Sequence, residues 1–515
     1  MEVNHMLLSE RLPLAASLFP EAPALERHDQ IVSYRELHRL AKQLSCALYN
    51  EGLRPGDRVA LLGEPDPQLV ALLYAAVQIG AIPFVPSPLQ TPLEIAAILE
   101  DAKPHILIHD TRYAETSQAA ARLLLSPPKL LTTLSLQRML LKDSPLPPAG
   151  AGERSEEDAA VLIYTGGTTG KPKGVIHSHR GMSAWNQFTP SAGFGYDQER
   201  RVLVLNISHL VGQFQLWATM AAGGCLVFLD DYPADVHNIL EAVERDRITV
   251  LSTVGKLLRD FTREAAATGR NTSSLKVIGC GGSNIAPETL QGAMAQFPKA
   301  MIVNNYSQAE CGMSISRLFP AHHLNDPARL RSVGRPADLG IQGENALEVR
   351  IMSEDGVEAA ANIPGEIVVR GAQIMLGYWG NPEASNDAML EGWIRTGDIG
   401  YLDTDGYLYI LDRLKDMVII GGSNVYCSEV EQVISAHAMV IDAAVVGLPL
   451  PLEGEQLVAC VVLQDGGALD LEQLQAHCEA YLAQHKWPTQ LFILDALPRT
   501  AVDKLDKKQL RTQLQ

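Results

Sequence analysis

The stretch Tyr164–Gly174 reads YTGGTTGKPKG and gathers four glycines, three threonines and two lysines. Consecutive glycines free the backbone to turn several N–H groups toward one point, an anion-binding nest. Thr165, Thr168 and Thr169 add hydroxyl donors, and Lys171 and Lys173 add positive charge. That chemistry suits a polyphosphate. It is not a Walker loop. The G-x-x-x-x-G-K-[ST] pattern ending at Lys171 needs glycine at 165 and a hydroxyl residue at 172, where the chain has Thr165 and Pro172. Pro172 also blocks direct entry into a helix, so a pliable loop that folds over phosphates and then releases them is expected. Taken alone, the same composition also fits an ordinary surface turn.

Stepping outward from the loop, short β-branched runs alternate with helix-length patterns over the first three hundred residues. RVALLG, HILIHD, AVLIYT, RVLVLNI, CLVFLD, ITVLSTV, LKVIGCGG and MIVNNYS are strand candidates; VHNILEAVERDR and PETLQGAMAQF are helix candidates. Such alternation predicts parallel sheets covered by helices. The apolar stretch Leu69–Pro86 approaches the length of a membrane span, but Gln78, Gly80 and Pro83 interrupt it. A buried helix, a turn at Ile79–Gly80 and a short strand are expected there, and no membrane span.

After about Leu330 the texture changes. ALEVRIMSEDG and GEIVVRG are short strands between turn residues, which suggests a small antiparallel sheet or barrel. GYLYILDRLKDMVIIGG reads as strand–turn–strand, and in the following helix SEVEQVISAH, Ser428 and Glu431 have capping-box spacing. The remainder mixes strands (DAAVVGL, LVACVVLQ) with the helix LEQLQAHCEAYLAQH. A domain boundary is expected near Asp412–Lys415, separating 1–412 from 413–515, and SPLPPAGAGERSEED before the glycine loop reads as a surface linker. The fold class is therefore α/β: a large N-terminal domain with mostly parallel sheets plus a small barrel-like sheet, then a small α+β C-terminal domain.

Of the 515 residues 46% are hydrophobic, enough for a large buried core. Sixty acidic side chains against 42 basic ones give a net charge of −18, which disfavours nucleic acid as a partner. The cysteines number seven and form no C-x-x-C pair. That pattern speaks against a zinc cage or a disulfide framework and for a reducing, cytoplasmic setting. The N-terminus MEVNHMLLSER has no basic region before an apolar run, so no secretory signal is expected.

Four segments in order carry a family resemblance. Y-T-G-G-T-T-G-x-P-K-G resembles the signature loop of the adenylate-forming superfamily, which comprises acyl- and aryl-CoA synthetases, adenylation domains of nonribosomal peptide synthetases, and luciferases. Gly166 stands where the usual loop has serine. NNYSQAECG is similar to the Y-G-x-T-E segment, GWIRTGDIGYLDTDGYLYILDRLKDMVIIGGSNVYCSEVE follows the family pattern closely, and LPRTAVDKLDKKQLR looks like the C-terminal P-x-T-x-x-G-K segment. The resemblance covers nearly the whole chain and implies two doubly wound sheets with a mobile C-terminal domain. The implied activity joins a carboxylate to the α-phosphate of ATP, expels pyrophosphate, and passes the acyl adenylate to a thiol of CoA or a phosphopantetheine carrier protein.

The resemblance also implies roles. Lys504 bridges the attacking carboxylate and the α-phosphate, two anions that need a cation between them. Glu310 and Thr168 hold Mg2+, and Gly166, Gly167, Thr165, Thr169, Gly170 and Lys173 embrace the phosphates. Tyr306 and Ser307 flank adenine, Asp398 accepts the ribose hydroxyls, and Arg413 donates nearby. Lys415 marks the hinge, and Gly422 borders the path of the pantetheine arm. His209 matches the histidine of F-H-x-x-G, completed by Gly212, and with Gln213, Val254, Gly281 and Gly312 lines the acyl pocket.

The departures are Asp503 before Lys504, where the family has glycine, and Ser307 and Ala309 in the Y-G-x-T-E segment. Aryl-acid ligases of siderophore pathways share that alanine. They carry His-Asn where this chain has His209-Leu210, which favours an aromatic or medium-sized acyl acid over a catechol acid. No aspartate lies between Asn206 and Trp217 to pair with an α-amino group, and an unpaired ammonium in an apolar pocket is costly. A luciferase-like oxidase and an inactive nucleotide-binding module are the alternatives on the same fold.

Overall fold

Strand–helix alternation builds the first of two compact units, Met1–Val349 with Val369–Ile394; the second is Arg350–Val368 with Arg395–Gln515. The computed structural model describes residues 6–140, 154–165, 171–184, 201–282, 285–324, 326–339, 346–420, 423–450, 454–464, 466–499 and 505–514. The second unit thus takes in 395–412 along with the C-terminal residues, upstream of the boundary expected at 412/413.

In the first unit the largest sheet has eight strands. Pro23–Arg27, Cys225–Phe228, Arg201–Leu203, Val250–Val254, Val277–Gly281 and Met301–Gln308 are neighbours in that order and all run parallel. Gln30–Ser33 and Gly312–Leu318 close the two edges antiparallel. Helices Val236–Arg245, Gly255–Thr268 and Pro287–Gln296 connect these strands. Their apolar faces bury Ile239, Leu258, Phe261 and Phe297 against Leu203, Val227 and Ile278.

A second, wholly parallel sheet runs Ile82–Phe84, Arg58–Leu62, Ile106–His109, Lys129–Thr132. The apolar stretch beside it folds as expected. Asp66 accepts from Leu69 N at 2.8 Å and caps helix Pro67–Ile79, which turns at Gly80 into strand Ile82–Phe84. Among the described residues no helix is long and apolar enough to cross a membrane. The third sheet is antiparallel: Ala159–Thr165, Lys173–Ser178 and Gly377–Tyr378.

The second unit is built on Val440–Leu450, paired antiparallel with Gly454–Leu463, which pairs parallel with Gln490–Ile493. Helices Cys427–Ser435 and Leu471–Glu479 pack Val430, Ile434, Leu474 and Cys478 onto one face. Upstream, Trp393–Leu402 pairs antiparallel with Leu408–Arg413. Glu348–Met352 and Gly365–Arg370 are strands, as expected.

The capping box expected from Ser428 and Glu431 does not form. Tyr426 is the N-cap residue and Ser428 lies inside the helix. Both side chains are taken by tertiary partners: the Ser428 hydroxyl donates to the Leu411 carbonyl, and Glu431 accepts from Val445 N and Lys507. Asp412 satisfies the first turn instead, accepting from Ser428 N at 3.2 Å. Residues 144–153 of the expected linker, 144–158, lie outside the described residues. Arg154, the next along it, is anchored, donating to the Val77 and Gln78 carbonyls.

Candidate active site

Parallel strands present their carboxyl ends at one edge, where open α/β sheets form their ligand crevice. Val254, Gly281 and Asn305 are register partners at that edge, and Tyr306 follows next along its strand. Gly281 leaves no room for a side chain: a Cβ there would stand 2.5 Å from the Asn305 carbonyl oxygen. Tyr306 is buried. A β-bulge falls between Tyr306 and Gln308, at Ser307, and re-aims the side chains that follow.

The chain then makes a single turn, Ala309–Cys311, which presents Glu310. Gly312 ends the turn at φ 81° and ψ −169°, a region open essentially to glycine. Three contacts hold the turn. Met375 N donates to the Glu310 carbonyl at 2.9 Å, and Gln373 Nε2 donates to the Cys311 carbonyl at 2.7 Å. Tyr378 Oη donates to Glu310 Oε1 at 2.9 Å. Burial, and next the Glu310 charge, push the Tyr378 phenol pKa up, so it remains a donor.

The Tyr378 ring also carries Lys173, whose Nζ lies 4.7 Å from its centroid. Lys173 is the register partner of Thr165, so the two residues close the glycine loop as a β-hairpin. Strand Lys173–Ser178 follows Pro172 directly, in keeping with the block to helix entry expected from its ring. One connected group thus contains Thr165, Lys173, Tyr378 and Glu310. His177, on the same strand as Lys173, is fully buried beneath the Glu310 turn. Burial lowers its pKa to about 4, against a backbone hydrogen bond at Ala309.

His209 is the N-cap residue of helix Leu210–Ala221, which reaches the sheet through Gln215 Nε2 to Ser252 Oγ at 2.8 Å. Gln213, expected in the pocket wall, is 3% exposed and spends both ends of its amide internally. Its Nε2 donates to the Ile207 carbonyl and its Oε1 accepts from Trp217 Nε1. These bonds secure its place on the helix and leave its second N–H and second lone pair available.

In the second unit, Asp398 and Arg413 are register partners joined by a 2.8 Å ion pair. The Asp398 side chain is 5% exposed and that of Arg413 is 48% exposed. Thr396 fixes the turn before Asp398, donating to the Ile367 carbonyl at 2.7 Å and accepting from Asp398 N at 3.1 Å. Lys415 follows Arg413 by two residues; burial lowers its pKa. Gly166, Gly167, Thr168, Thr169, Gly170, Gly422 and Lys504 lie outside the described residues.

Among the described residues no three His, Cys, Asp or Glu side chains converge on a common point. A single carboxylate fits Mg2+, which retains waters and takes phosphate oxygens. It does not fit a resident zinc, which needs three or four protein ligands. Sequence reasoning missed Tyr378, Gln373 and His177. Tyr378 lies 68 positions from Glu310, and only the pairing of Gly377–Tyr378 with the Lys173 strand brings them together.

Comparison with known proteins identifies the chain as an adenylate-forming enzyme. The chain belongs to the AMP-binding enzyme family: residues 13–379 match the model of that family and residues 429–504 match that of the AMP-binding enzyme C-terminal domain. It is 32% identical over 503 residues to a feruloyl-CoA synthase of an Amycolatopsis species, covering 96% of each chain. The amide bond synthetase McbA of Marinactinospora thermotolerans superposes with a TM-score of 0.87 at 29% identity, over 98% of this chain and 99% of that one. The o-succinylbenzoate coenzyme A synthetase of Bacillus subtilis, solved with ATP and magnesium, gives 0.84 at 28% identity over 98% of both. The chain is an AMP-forming acid–thiol ligase.

Proposed function

We propose that the chain activates an aryl or medium-chain acyl carboxylic acid and loads it onto the thiol of coenzyme A or of a phosphopantetheine arm on a separate carrier protein, in the cytoplasm. The carboxylate oxygen attacks the α-phosphorus of ATP, the bond to the β-phosphate bridging oxygen breaks, and pyrophosphate leaves. The thiol sulfur then attacks the acyl carbon and AMP departs.

In this reading Tyr306 and Ser307 flank adenine at the sheet edge. Asp398 accepts the ribose hydroxyls, which frees Arg413 to donate to phosphate. Thr165, Lys173 and the loop residues Gly166, Gly167, Thr169 and Gly170 grip the departing phosphates. Glu310 and Thr168 hold Mg2+, which neutralises phosphate charge. Lys504 supplies the cation between carboxylate and α-phosphate. His209, Gln213, Val254, Gly281 and Gly312 border the acyl group, and the thiol arm passes Gly422 after a pivot at Lys415 that separates 1–412 from 413–515.

The observation that supports the reading is the Lys173–Tyr378–Glu310 chain, which brings an ammonium and a carboxylate onto one side chain. ATP–pyrophosphate exchange with a panel of cinnamic, benzoic and medium-chain fatty acids tests it. Exchange with at least one acid is expected, followed by thioester formation with coenzyme A or a holo carrier protein. ATP binding without exchange for any acid of the panel would establish an inactive nucleotide-binding module instead.

A further inference from the structure

Three register rows share one face at the centre of the large sheet. Val254, Gly281 and Asn305 form the rim, Ser252, Gly279 and Val303 the next row, and Val250, Val277 and Met301 the innermost. Residues two apart on a strand point to the same side, so these rows stack on a single face. A Cβ on Gly279 would stand 3.5 Å from both Ser252 Oγ and Asn305 Nδ2, which confirms that their side chains share it. Helix Leu210–Ala221 meets this face through the 2.8 Å bond from Gln215 Nε2 to Ser252 Oγ.

The face is closed at its inner end and open toward the rim. Val250, Val277 and Val303 are buried in one core with Phe214 and Trp217 of the helix. Ser252, Val254, Gly279, Gly281 and Asn305 are only half-buried, although their strands lie inside an eight-stranded sheet. Gly279 and Gly281 place no side chain on the face between them. A crevice therefore runs inward from the rim by two strand residues, about 7 Å, the space of one aromatic ring.

Its inner end is polar. Gln215 is 5% exposed, and its Nε2 is given to Ser252. Asn305 Nδ2 donates to the Cys280 and Val303 carbonyls at 3.3 Å each. Among the described residues none donates to Gln215 Oε1 or Asn305 Oδ1, and none accepts from the Ser252 hydroxyl. An apolar tail seated there would take water from these atoms and return no hydrogen bond. A hydroxyl group both donates and accepts, so it can receive the Ser252 proton and give its own to an amide oxygen.

We propose that the acid activated by this chain is an aryl acid with a hydroxyl at the ring position remote from its carboxylate, and that Ser252 and Gln215 are the specificity-determining residues that receive that hydroxyl. The proposal rests on the reading of the Val254–Gly281 edge as the acyl pocket, and it names the substrate class for that pocket. With the hydroxyl held at the second row, the ring lies over Gly279 and Gly281 and the carboxylate is left at the rim.

The test measures pyrophosphate exchange by the full chain with benzoic and cinnamic acids that carry hydrogen, methyl or hydroxyl at the para position. Methyl matches hydroxyl in size and makes no hydrogen bond. In the parent chain the para-hydroxy acid of at least one series is expected to exceed its methyl analogue by about 10-fold or more in kcat/KM. Ser252→Ala and Gln215→Met are each expected to cut that ratio several-fold, by weakening the hydroxy acid while the methyl acid is kept. Gly279→Val fills the second row and is expected to raise the KM of both para-substituted acids more than that of the unsubstituted acid. A parent ratio near one, a ratio that survives in both polar variants, or an equal loss with every acid would overturn the proposal and leave the ligase reading standing. If Gln215→Met does not fold, Ser252→Ala decides, because it removes a single oxygen atom. An unaltered KM for every acid in Gly279→Val would overturn the placement of the acyl pocket at this edge, and the proposal with it. Absence of exchange with any acid in the parent chain would overturn the ligase reading itself.

Discussion

Tyr378 Oη donates to Glu310 Oε1 at 2.9 Å, binding the antiparallel hairpin sheet to the turn that ends the large sheet. The phenol therefore orients a carboxylate assigned to Mg2+, while its ring independently supports Lys173.

The two functions of that side chain separate by substitution. Tyr378→Phe keeps the ring under Lys173 and deletes only the donor. It is expected to raise the Mg2+ concentration for half-maximal exchange roughly 10-fold, the worth of one hydrogen bond to a charged acceptor. Mn2+ binding in the presence of ATP, followed by electron paramagnetic resonance, should weaken alongside. Tyr378→Leu removes the ring as well and is expected to raise the KM for ATP in addition. Unchanged metal dependence in Tyr378→Phe would exclude the orienting role.

Asp398→Asn preserves shape and removes the carboxylate that engages Arg413. Loss of a charge-assisted acceptor for the ribose predicts a rise of about 10-fold or more in the KM for ATP, with less effect on the KM for the acid. Initial-rate measurements with each substrate varied in turn check this.

Acid should destabilise the first unit through two histidines. Burial lowers the pKa of both His177 and His179 to about 4, in His179 with help from Arg154. His179 Nδ1 accepts from Leu8 N at 3.2 Å and so must be unprotonated in the folded chain. The unfolded chain takes up these protons near the ordinary histidine value of 6.5, whereas the folded chain resists until about 4. Stability is therefore full above the higher value and declines as pH falls between the two, by up to about 3 kcal/mol per histidine. Urea midpoints across that window should fall for the parent chain and fall less for His177→Gln and His179→Gln. Identical slopes in all three would refute the assignment.

Gly281→Ala places a Cβ 2.5 Å from the Asn305 carbonyl oxygen. The strand pair must spread, at about 1–3 kcal/mol. A lower melting temperature together with a raised KM for the acid is expected. A lower melting temperature with an unaltered KM would place Gly281 outside the acyl pocket.

Much of the architecture was legible because it is local. Period and punctuation located the parallel strands, and the helix–turn–strand of Leu69–Pro86 followed from Gly80 and Pro83. Pro172 announced that the glycine loop does not lead straight into a helix, and a strand follows it. What escaped is tertiary. Nothing near Tyr378 in sequence marks it as the partner of Glu310, and His177 looks like any strand residue. Ser428 and Glu431 show how spacing misleads: the local box lost to Leu411, Val445 and Lys507, partners that only the packed unit supplies. Gln213 was read from its place beside His209; its bonds to Ile207 and Trp217 appear only in the folded helix.

At Gly281 the crevice is bounded by main chain alone, because the Asn305 carbonyl occupies the space a side chain would need. In the proposed acyl pocket a side chain at that point meets main chain, so a drift in diet, natural or directed, is more cheaply written on the flanks at Val254 and around His209. A combinatorial library that spares Gly281 and randomises those flanks would keep its members foldable while it explores new acids.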